Sequence, residues 1–290
     1  MKTTFKVKIE NTQQLNIALQ NDSVKEIIIS RDSFAEKDLP NLVDKIKSEG
    51  KSPWILMERI SRYEEKPADL RTSTDKIFEI KNLDGIIIQN LDSFAYTLRK
   101  INKVANEKLK IELNYTMNCY NAETKLVHEN LYNEKRKNAS EVPLLFTAPV
   151  ELNIYELSEV GYDTFIVYSY IDTMVTANCL RKNLAACEAA CKYRFNFESV
   201  HDFSSYIIDR KGKKLHYKTY CKYCYNKIFN TEPLYLLDKI GEFDMQCRGE
   251  HCEPAYRIDF SFETENKVRD ILNKKIPESF TRGHFKNSIK

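Results

Sequence analysis

Short apolar runs rich in β-branched residues alternate with amphipathic stretches along most of this chain. This alternation predicts repeated βα units, because strands bury the β-branched residues and amphipathic helices return the chain between them. The expected strands are 6–10, 26–30, 54–58, 85–90, 110–115, 144–148, 164–169 and 256–262. Eight parallel strands with helical returns make up a (β/α)8 TIM-like barrel, which is the predicted fold, with an open α/β sheet as the alternative.

The segments between these strands predict both the helices and one unusual insertion. Helices are expected at 12–20, 39–48, 93–106, 151–160 and 265–275, with Asn11, Thr12 and Ser93 as N-caps. The seventh connection, 170–255, is far longer than an ordinary βα loop. We therefore expect a barrel over 1–275, interrupted by a cysteine-rich insertion at 170–255 and followed by a basic tail at 276–290. Loops after barrel strands build active sites, so the insertion should lie over the barrel mouth.

The sequence lacks the motifs of several functional classes. The chain has only seven glycines, and none of them forms a Gly-x-Gly-x-x-Gly or Walker-type loop, so no nucleotide is expected to bind through a Gly-rich loop. The Gly-x-Ser-x-Gly and His-Glu-x-x-His hydrolase motifs do not occur either. Charged residues make up 30% of the chain, and no apolar run approaches the length of a membrane span. With no apolar secretion segment near residue 1, we expect a cytoplasmic protein that does not enter a membrane.

Seven of the eight cysteines lie in the predicted insertion. Five of them fall between residues 178 and 226: Cys179, Cys187, Cys191, Cys221 and Cys224. Two thiolates two residues apart, with further thiolates upstream, are typical of sites for zinc or for an iron–sulfur cluster, and cytoplasmic location favours ligation over disulfides. From spacing alone a structural zinc, a cluster and unligated buried thiols all stay open. Cys247 and Cys252 are expected in a surface turn that binds nothing, and Cys119 is expected to be a packed thiol.

Two further groups of residues are candidates for binding. Polar residues at the predicted strand ends should point toward the barrel mouth or, alternatively, cap helices and satisfy loop amides: Glu58, Asn90, Asn114, Asn118, Thr147 and Tyr168. A hairpin of strands 205–209 and 214–218 is predicted, and the segment 209–227 interleaves cations with tyrosines, as RNA-binding surfaces do. Its candidates, with two from the tail, are Arg210, Lys211, Lys213, Lys214, Tyr217, Tyr220, Arg282 and His284. The alternatives are a solvated hairpin with its tyrosines packed inward and a tail that forms an ordered plug across the barrel.

Five segments together resemble the peptidase U32 family, also called collagenase-like peptidases, and in particular the C-terminal barrel of its long two-module members. They are Thr173-Met-Val-Thr-Ala-Asn-Cys179, Ile208-Asp-Arg-Lys-Gly212, Cys221-Lys-Tyr-Cys-Tyr-Asn226, Asn230-Thr-Glu-Pro-Leu234 and Phe280-Thr-Arg-Gly-His-Phe285. The resemblance implies a 4Fe–4S cluster rather than zinc, held by Cys179, Cys187, Cys221 and Cys224. Cys191 is a fifth candidate, which could be a ligand in place of Cys187 or Cys224.

The resemblance also implies a function. Relatives include peptidases and 4Fe–4S proteins that hydroxylate RNA bases, so the expectation is a module that takes part in hydroxylation of an rRNA or tRNA base beside an upstream U32 barrel. The alternatives are a collagenase-like peptidase and a noncatalytic RNA-binding or scaffold module stapled by a cluster or zinc. Ser169, Tyr170 and Asp172 depart from the family signature, so no catalytic residue is assigned and no turnover by this chain alone is expected.

Overall fold

The computed structural model describes residues 3–60, 67–180, 202–246 and 254–287. Within these ranges the strands are β1 (Phe5–Ile9), β2 (Val24–Ser30), β3 (Ser52–Leu56), β4 (Gly85–Ile88), β5 (Lys110–Leu113), β6 (Leu144–Phe146), β7 (Thr164–Ser169), β8 (Asp172–Thr176), β9 (Asp202–Ile208), β10 (Lys214–Tyr220), β11 (Tyr225–Phe229), β12 (Leu234–Tyr235) and β13 (Ala255–Asp259). The α-helices are α1 (Thr12–Gln20), α2 (Leu39–Ser48), α3 (Pro67–Phe78), α4 (Leu91–Lys100), α5 (Ala122–Lys135), α6 (Ile154–Val160), α7 (Ile240–Gln246) and α8 (Glu265–Leu272).

A nine-stranded, mostly parallel sheet forms the larger part of the described structure. Its strand order is β12-β7-β13-β1-β2-β3-β4-β5-β6, and only β12 runs antiparallel to its neighbour. The predicted α/β class is confirmed, and each of the eight predicted strands has a counterpart here, with ends that shift by a few residues. No helix among the described residues has the length and apolar character needed to cross a membrane.

The sheet curls, so that strands far apart in the order face each other. The Lys6 Nζ on β1 lies 2.6 Å from Glu112 Oε2 on β5. The Arg257 Nη1 on β13 donates to Asn114 Oδ1, just after β5, at 2.9 Å. In a flat sheet four strand steps would separate β1 from β5 by about 19 Å. Thr147 and Thr164 also form an isolated parallel bridge between the chain after β6 and the start of β7.

Helix starts are set by asparagine caps. The Asn11 side chain accepts from the Gln14 N–H at 2.9 Å, which confirms that predicted cap. Thr12 is instead the first residue of α1. The Ser93 cap is wrong, because Asn90 Oδ1 takes the Ser93 N–H at 2.8 Å and α4 begins at Leu91. Likewise α6 begins at Ile154 rather than 151, after a capping box between Asn153 and Glu156.

The segment between β7 and β13 contributes a second, antiparallel sheet of order β8-β11-β10-β9. The predicted hairpin is present as β9 and β10, with Gly212 in the left-handed region at φ 77° in its turn. A second hairpin, β10 and β11, is closed by Cys221 to Cys224. This second hairpin brings the cysteine pair to the larger sheet, as described below.

On the concave face of the large sheet, a small apolar cluster of Ile28, Trp54, Leu56 and Ile87 sits beside charged residues. Gly85 on β4 packs against the Trp54 ring so closely that a Cβ there would lie 2.3 Å from ring carbons. Only glycine therefore fits at this position opposite Trp54.

We predict that Gly85→Ala lowers the free energy of unfolding by about 3 kcal/mol, since a rigid core cannot accommodate the added methyl group without strain. Urea denaturation would measure the loss. Gly241→Ala is the control, because its Cβ would meet nothing within 4 Å. In the double variant Trp54→Leu/Gly85→Ala the two losses should be clearly less than additive. Additive losses would contradict the proposed steric cause.

Candidate functional site

Charged side chains gather where β1, β2 and β3 end. Glu10 follows β1, Arg31 and Asp32 follow β2, and Glu58 lies two residues after β3. The carboxyl ends of parallel strands lie at the same edge of a sheet, which brings these residues together. Glu36, in a short 3-10 turn after β2, completes the group. We call Glu10, Arg31, Asp32, Glu36 and Glu58 the strand-end cluster.

Arg31 is the centre of the strand-end cluster and is completely buried. Its guanidinium donates to Glu58 Oε2 at 2.8 Å and to Glu36 Oε1 at 3.0 Å. The same group donates to Ser73 Oγ at 2.8 Å, at the side of α3. The predicted mouth residue Glu58 therefore lies at the strand ends and holds Arg31, while also accepting from Ser93 Oγ at 3.1 Å.

The β10–β11 hairpin inserts its end into the strand-end cluster. We call residues 218–225 the plug. The Lys218 ammonium and the Tyr220 hydroxyl both donate to Glu10. The Tyr225 hydroxyl donates to Asp32 and accepts from the Arg59 N–H at 3.3 Å.

The tip of the plug makes the deepest polar contacts. Lys222 donates to the carbonyl oxygens of Arg31 and Phe34, both at 2.8 Å, and its Nζ lies 2.6 Å from Glu36 Oε1. The Tyr223 hydroxyl donates to the same Glu36 oxygen at 3.3 Å. Lys222 and Tyr223 are each only 1% exposed, so these contacts are made out of water. The cluster is thus filled by the chain's own cations and hydroxyls.

Two carboxylates of the cluster, Glu10 and Glu36, are held in the charged form. Burial by itself raises the pKa of Glu36, but the Arg31 guanidinium and the Lys222 ammonium outweigh it and lower the pKa to about 2. Burial likewise opposes ionisation of Glu10, and Lys218 and Lys8 hold its pKa well below the usual range. Asp32 differs, since burial dominates and raises its pKa despite the nearby Lys227.

The structure places three predicted ligand cysteines around one end of the small sheet. Cys221 and Cys224 close the β10–β11 turn, where the Cys224 N–H donates to the Cys221 carbonyl at 3.2 Å and Cys224 adopts φ 57°. Cys179 follows β8, and Asn226 on β11 donates to the carbonyl of the preceding Asn178 at 2.7 Å. Strand pairing therefore carries Cys179 to the end of the sheet where the Cys221–Cys224 turn lies.

Other predicted cysteines fall outside the described residues, namely Cys187, Cys191, Cys247 and Cys252. Within the described ranges, no three His, Cys, Asp or Glu side chains form a group that could hold a metal ion. A four-thiolate centre needs at least one of Cys187 and Cys191, so the metal site stays a prediction.

Cys119 is placed as a packed thiol. Its Sγ lies 3.8 Å from His128 Nδ1, but that nitrogen is 2.8 Å from the Thr124 carbonyl, its better hydrogen-bond acceptor. Burial raises the pKa of Cys119 to about 11. A neutral thiol beside a nitrogen already used as a donor is not an activated nucleophile.

The remaining strand-end candidates have separate structural roles. Thr147 donates to Glu112 at 2.5 Å, and Asn114 accepts from Arg257, both on the concave face. Asn90 caps α4 and donates to the Glu58 carbonyl at 2.9 Å. Asn118 is exposed at the end of a 3-10 turn. Tyr168 is buried, and its ring packs against Phe260.

Some of the RNA-binding candidates are exposed, and others are buried or paired. Arg210, Lys211, Lys213 and Lys214 are exposed around the β9–β10 turn, and Tyr217 is half-buried. Tyr220 has no exposed surface, so its ring cannot stack on a base while the plug is in place. In the tail, Arg282 pairs with Asp238 and donates to the Tyr235 carbonyl at 2.7 Å. His284 is half-buried.

Sequence reasoning missed most of the strand-end cluster. Glu10, Arg31, Asp32 and Glu36 were not among its candidates, although Glu10 is the last residue of the predicted strand 6–10. The signal for the plug was also present: Lys218 and Tyr220 alternate with period two on β10, and they pair across to Lys227 and Tyr225. That pattern marks one face of a hairpin.

Comparisons with known proteins give only weak similarities. No protein-family model matches the chain, and no curated protein matches it. The solved structure of the U32 peptidase Mk0906 is similar at a TM-score of 0.42 and 13% identity, over 60% of this chain and 73% of that one. The crystal structure of an uncharacterized B. cereus protein is similar at a TM-score of 0.44 and 9% identity, over 94% of this chain and 65% of that one. Neither similarity assigns a family or an activity.

We predict that Glu10 contributes to acid stability. Its pKa is lower in the folded than in the unfolded chain, so its contribution is complete above the unfolded value of about 4.3 and is lost as pH falls below it. Between pH 7 and pH 3, Glu10→Gln should lose about 2 kcal/mol less unfolding free energy than the wild type. Urea denaturation at each pH measures this difference. Glu134→Gln, at an exposed ion pair with Lys135, is the control and should follow the wild type; equal slopes in both variants would refute the assignment.

Proposed function

We propose that this chain is a U32-like barrel module with a four-thiolate metal centre, a 4Fe–4S cluster, and that it takes part in hydroxylation of an RNA base beside a catalytic barrel. The observation that carries the proposal is the pairing of β8 with β11, which brings the chain at Cys179 to the Cys221–Cys224 turn. The similarity of the segments 173–179 and 221–226 to U32 modules favours a cluster over structural zinc.

We also infer that the curled sheet closes into an eight-stranded barrel with β12 outside it. Support comes from the Thr147–Thr164 bridge and from the Ala148 N–H, which donates to the Thr164 carbonyl at 2.8 Å. The contact of Lys6 with Glu112 across the concave face also fits a closed barrel and disfavours an open sheet. The second sheet then lies over the barrel mouth, as an insertion after the seventh barrel strand.

The donor set suits the proposed metal centre. Thiolates bind zinc and iron–sulfur clusters in preference to hard cations. Cys179, Cys221 and Cys224, together with Cys187 or Cys191, would hold the group. Four thiolates leave no open coordination position, so the centre would accept and donate an electron or fix the insertion in place rather than bind substrate directly.

The strand-end cluster argues against the peptidase alternative. A hydrolase would need a carboxylate or metal-bound water free to activate a nucleophile. Here Glu10, Glu36 and Glu58 are each engaged by lysine, arginine or tyrosine side chains of the same chain. A module that works with a separate catalytic barrel accounts better for a mouth filled in this way.

The first test is metal analysis of anaerobically purified protein. We expect about four irons with sulfide per chain and a broad absorption band from thiolate-to-iron charge transfer. Serine substitution at Cys179, Cys187, Cys221 or Cys224 should remove the iron. Cys119→Ser is the matched control and should keep it, because Cys119 is buried beside His128. If the protein contains one zinc and no iron, the site is a structural zinc site and not a cluster. If it contains neither metal, the proposed metal centre is refuted.

The second test concerns RNA. If the exposed β9–β10 turn contacts phosphates, Lys213→Glu/Lys214→Glu should weaken RNA binding at least about tenfold and lower its salt dependence, because fewer counterions are released. Binding of tRNA and rRNA fragments over a salt series would measure both effects. Lys103→Glu/Lys108→Glu makes the same change in net charge at exposed positions on another part of the chain. Equal weakening in the two variants would mean that the turn has no specific role.

A further inference from the structure

The plug and the predicted metal centre share one short stretch of backbone. Lys222 and Tyr223 lie between Cys221 and Cys224, and all four residues form the turn that joins β10 to β11. Cys224 holds a left-handed conformation in this turn, which is unfavourable for a residue with a side chain. The surrounding contacts must therefore maintain the turn.

Those contacts come from the segment that follows β2. Glu36 receives both the Lys222 ammonium and the Tyr223 hydroxyl, and it is itself fixed by Arg31. Two backbone carbonyls next to the cluster, those of Arg31 and Phe34, hold Lys222 in addition. These contacts hold the tip of the turn among the groups of the strand-end cluster.

A ligand held by Cys221 and Cys224 would require the same turn geometry. If plug insertion and metal binding need the same conformation of this turn, then each of them stabilises the other. The converse also holds. If the plug left the cluster, Glu10, Asp32 and Glu36 would lose Lys218, Lys222 and the tyrosine hydroxyls as partners.

We propose that seating of the plug in the strand-end cluster and occupation of the thiolate centre are thermodynamically linked. Metal at the cysteines holds the plug in place, and loss of metal releases it and exposes the acidic strand ends. This inference rests on the proposed function only in its use of the metal centre. Metal binding at the cysteine turn would then determine whether the plug covers the strand ends of the large sheet.

The test measures zinc affinity of the full chain by competition with a chromophoric chelator. Glu36→Gln removes the carboxylate that receives Lys222 and Tyr223 but changes no cysteine. We expect it to weaken zinc binding at least about tenfold, within the usual range of coupling between sites. The matched control is Glu112→Gln, which also breaks a buried lysine–glutamate pair but lies on the concave face with Lys6. Its affinity should stay within about twofold of the wild type.

A second measurement uses the wild-type chain and avoids any folding defect in the variants. The Arg59 N–H donates to the Tyr225 hydroxyl, so its hydrogen exchange reports whether the plug is seated. Exchange at Arg59 should become at least about tenfold faster after zinc is removed. The Asn114 N–H, bonded to the Ile88 carbonyl, is the internal control and should not change.

The outcomes separate the two proposals. If the wild type binds neither zinc nor iron, the metal centre fails and the linkage fails with it. If the wild type binds zinc but Glu36→Gln binds equally well, or if Arg59 exchange ignores the metal, the centre stands and the linkage is overturned. A loss of affinity in Glu112→Gln as large as in Glu36→Gln would also overturn it, because general destabilisation would then explain the effect.

Discussion

The buried guanidinium of Arg31 connects side chains from several segments of this structure. It connects the end of β2 to Glu58 after β3 and to Ser73 on α3, and it fixes Glu36 for the plug. A charge buried in this way is tolerated only because each donor has a partner, and removing one partner of such a pair typically costs about 3–5 kcal/mol. The geometry of the strand ends therefore depends on this one side chain.

The same interaction explains how the described ends of β1, β2 and β3 are occupied. In α/β barrels this edge ordinarily receives the substrate. Here two lysines and three tyrosines from one hairpin enter it instead, and their partners are carboxylates that already belong to the Arg31 network. The arrangement fits the role proposed above. It also places Cys221 and Cys224 in the same turn as Lys222 and Tyr223, which contact the acidic cluster.

The strands, helices and turns could largely be predicted from the sequence, because they depend on local patterns. Strands such as β4 are continuous apolar runs, and the Asn11 cap and the Gly212 turn have local chemical signals. Strand ends were less well predicted. The expected strand 85–90 ends at Ile88 because Asn90 is needed as the cap of α4. Whether an asparagine ends a strand or begins a helix is decided by which N–H groups it meets.

For the residues of the site, too, the local pattern was predictable and the tertiary contacts were not. The sequence by itself determined the eight strand segments with helical returns, the spacing of Cys221 and Cys224, and the mixing of lysines with tyrosines in the segment 209–227. Only the tertiary structure decided that Lys218, Tyr220 and Lys222 face inward. A lysine in a strand has the same local pattern whether its ammonium meets solvent, a phosphate or a buried carboxylate. The partners Glu10 and Glu36 lie about two hundred residues away in the chain, and only the insertion of the β10–β11 hairpin at the strand ends brings them within hydrogen-bond distance.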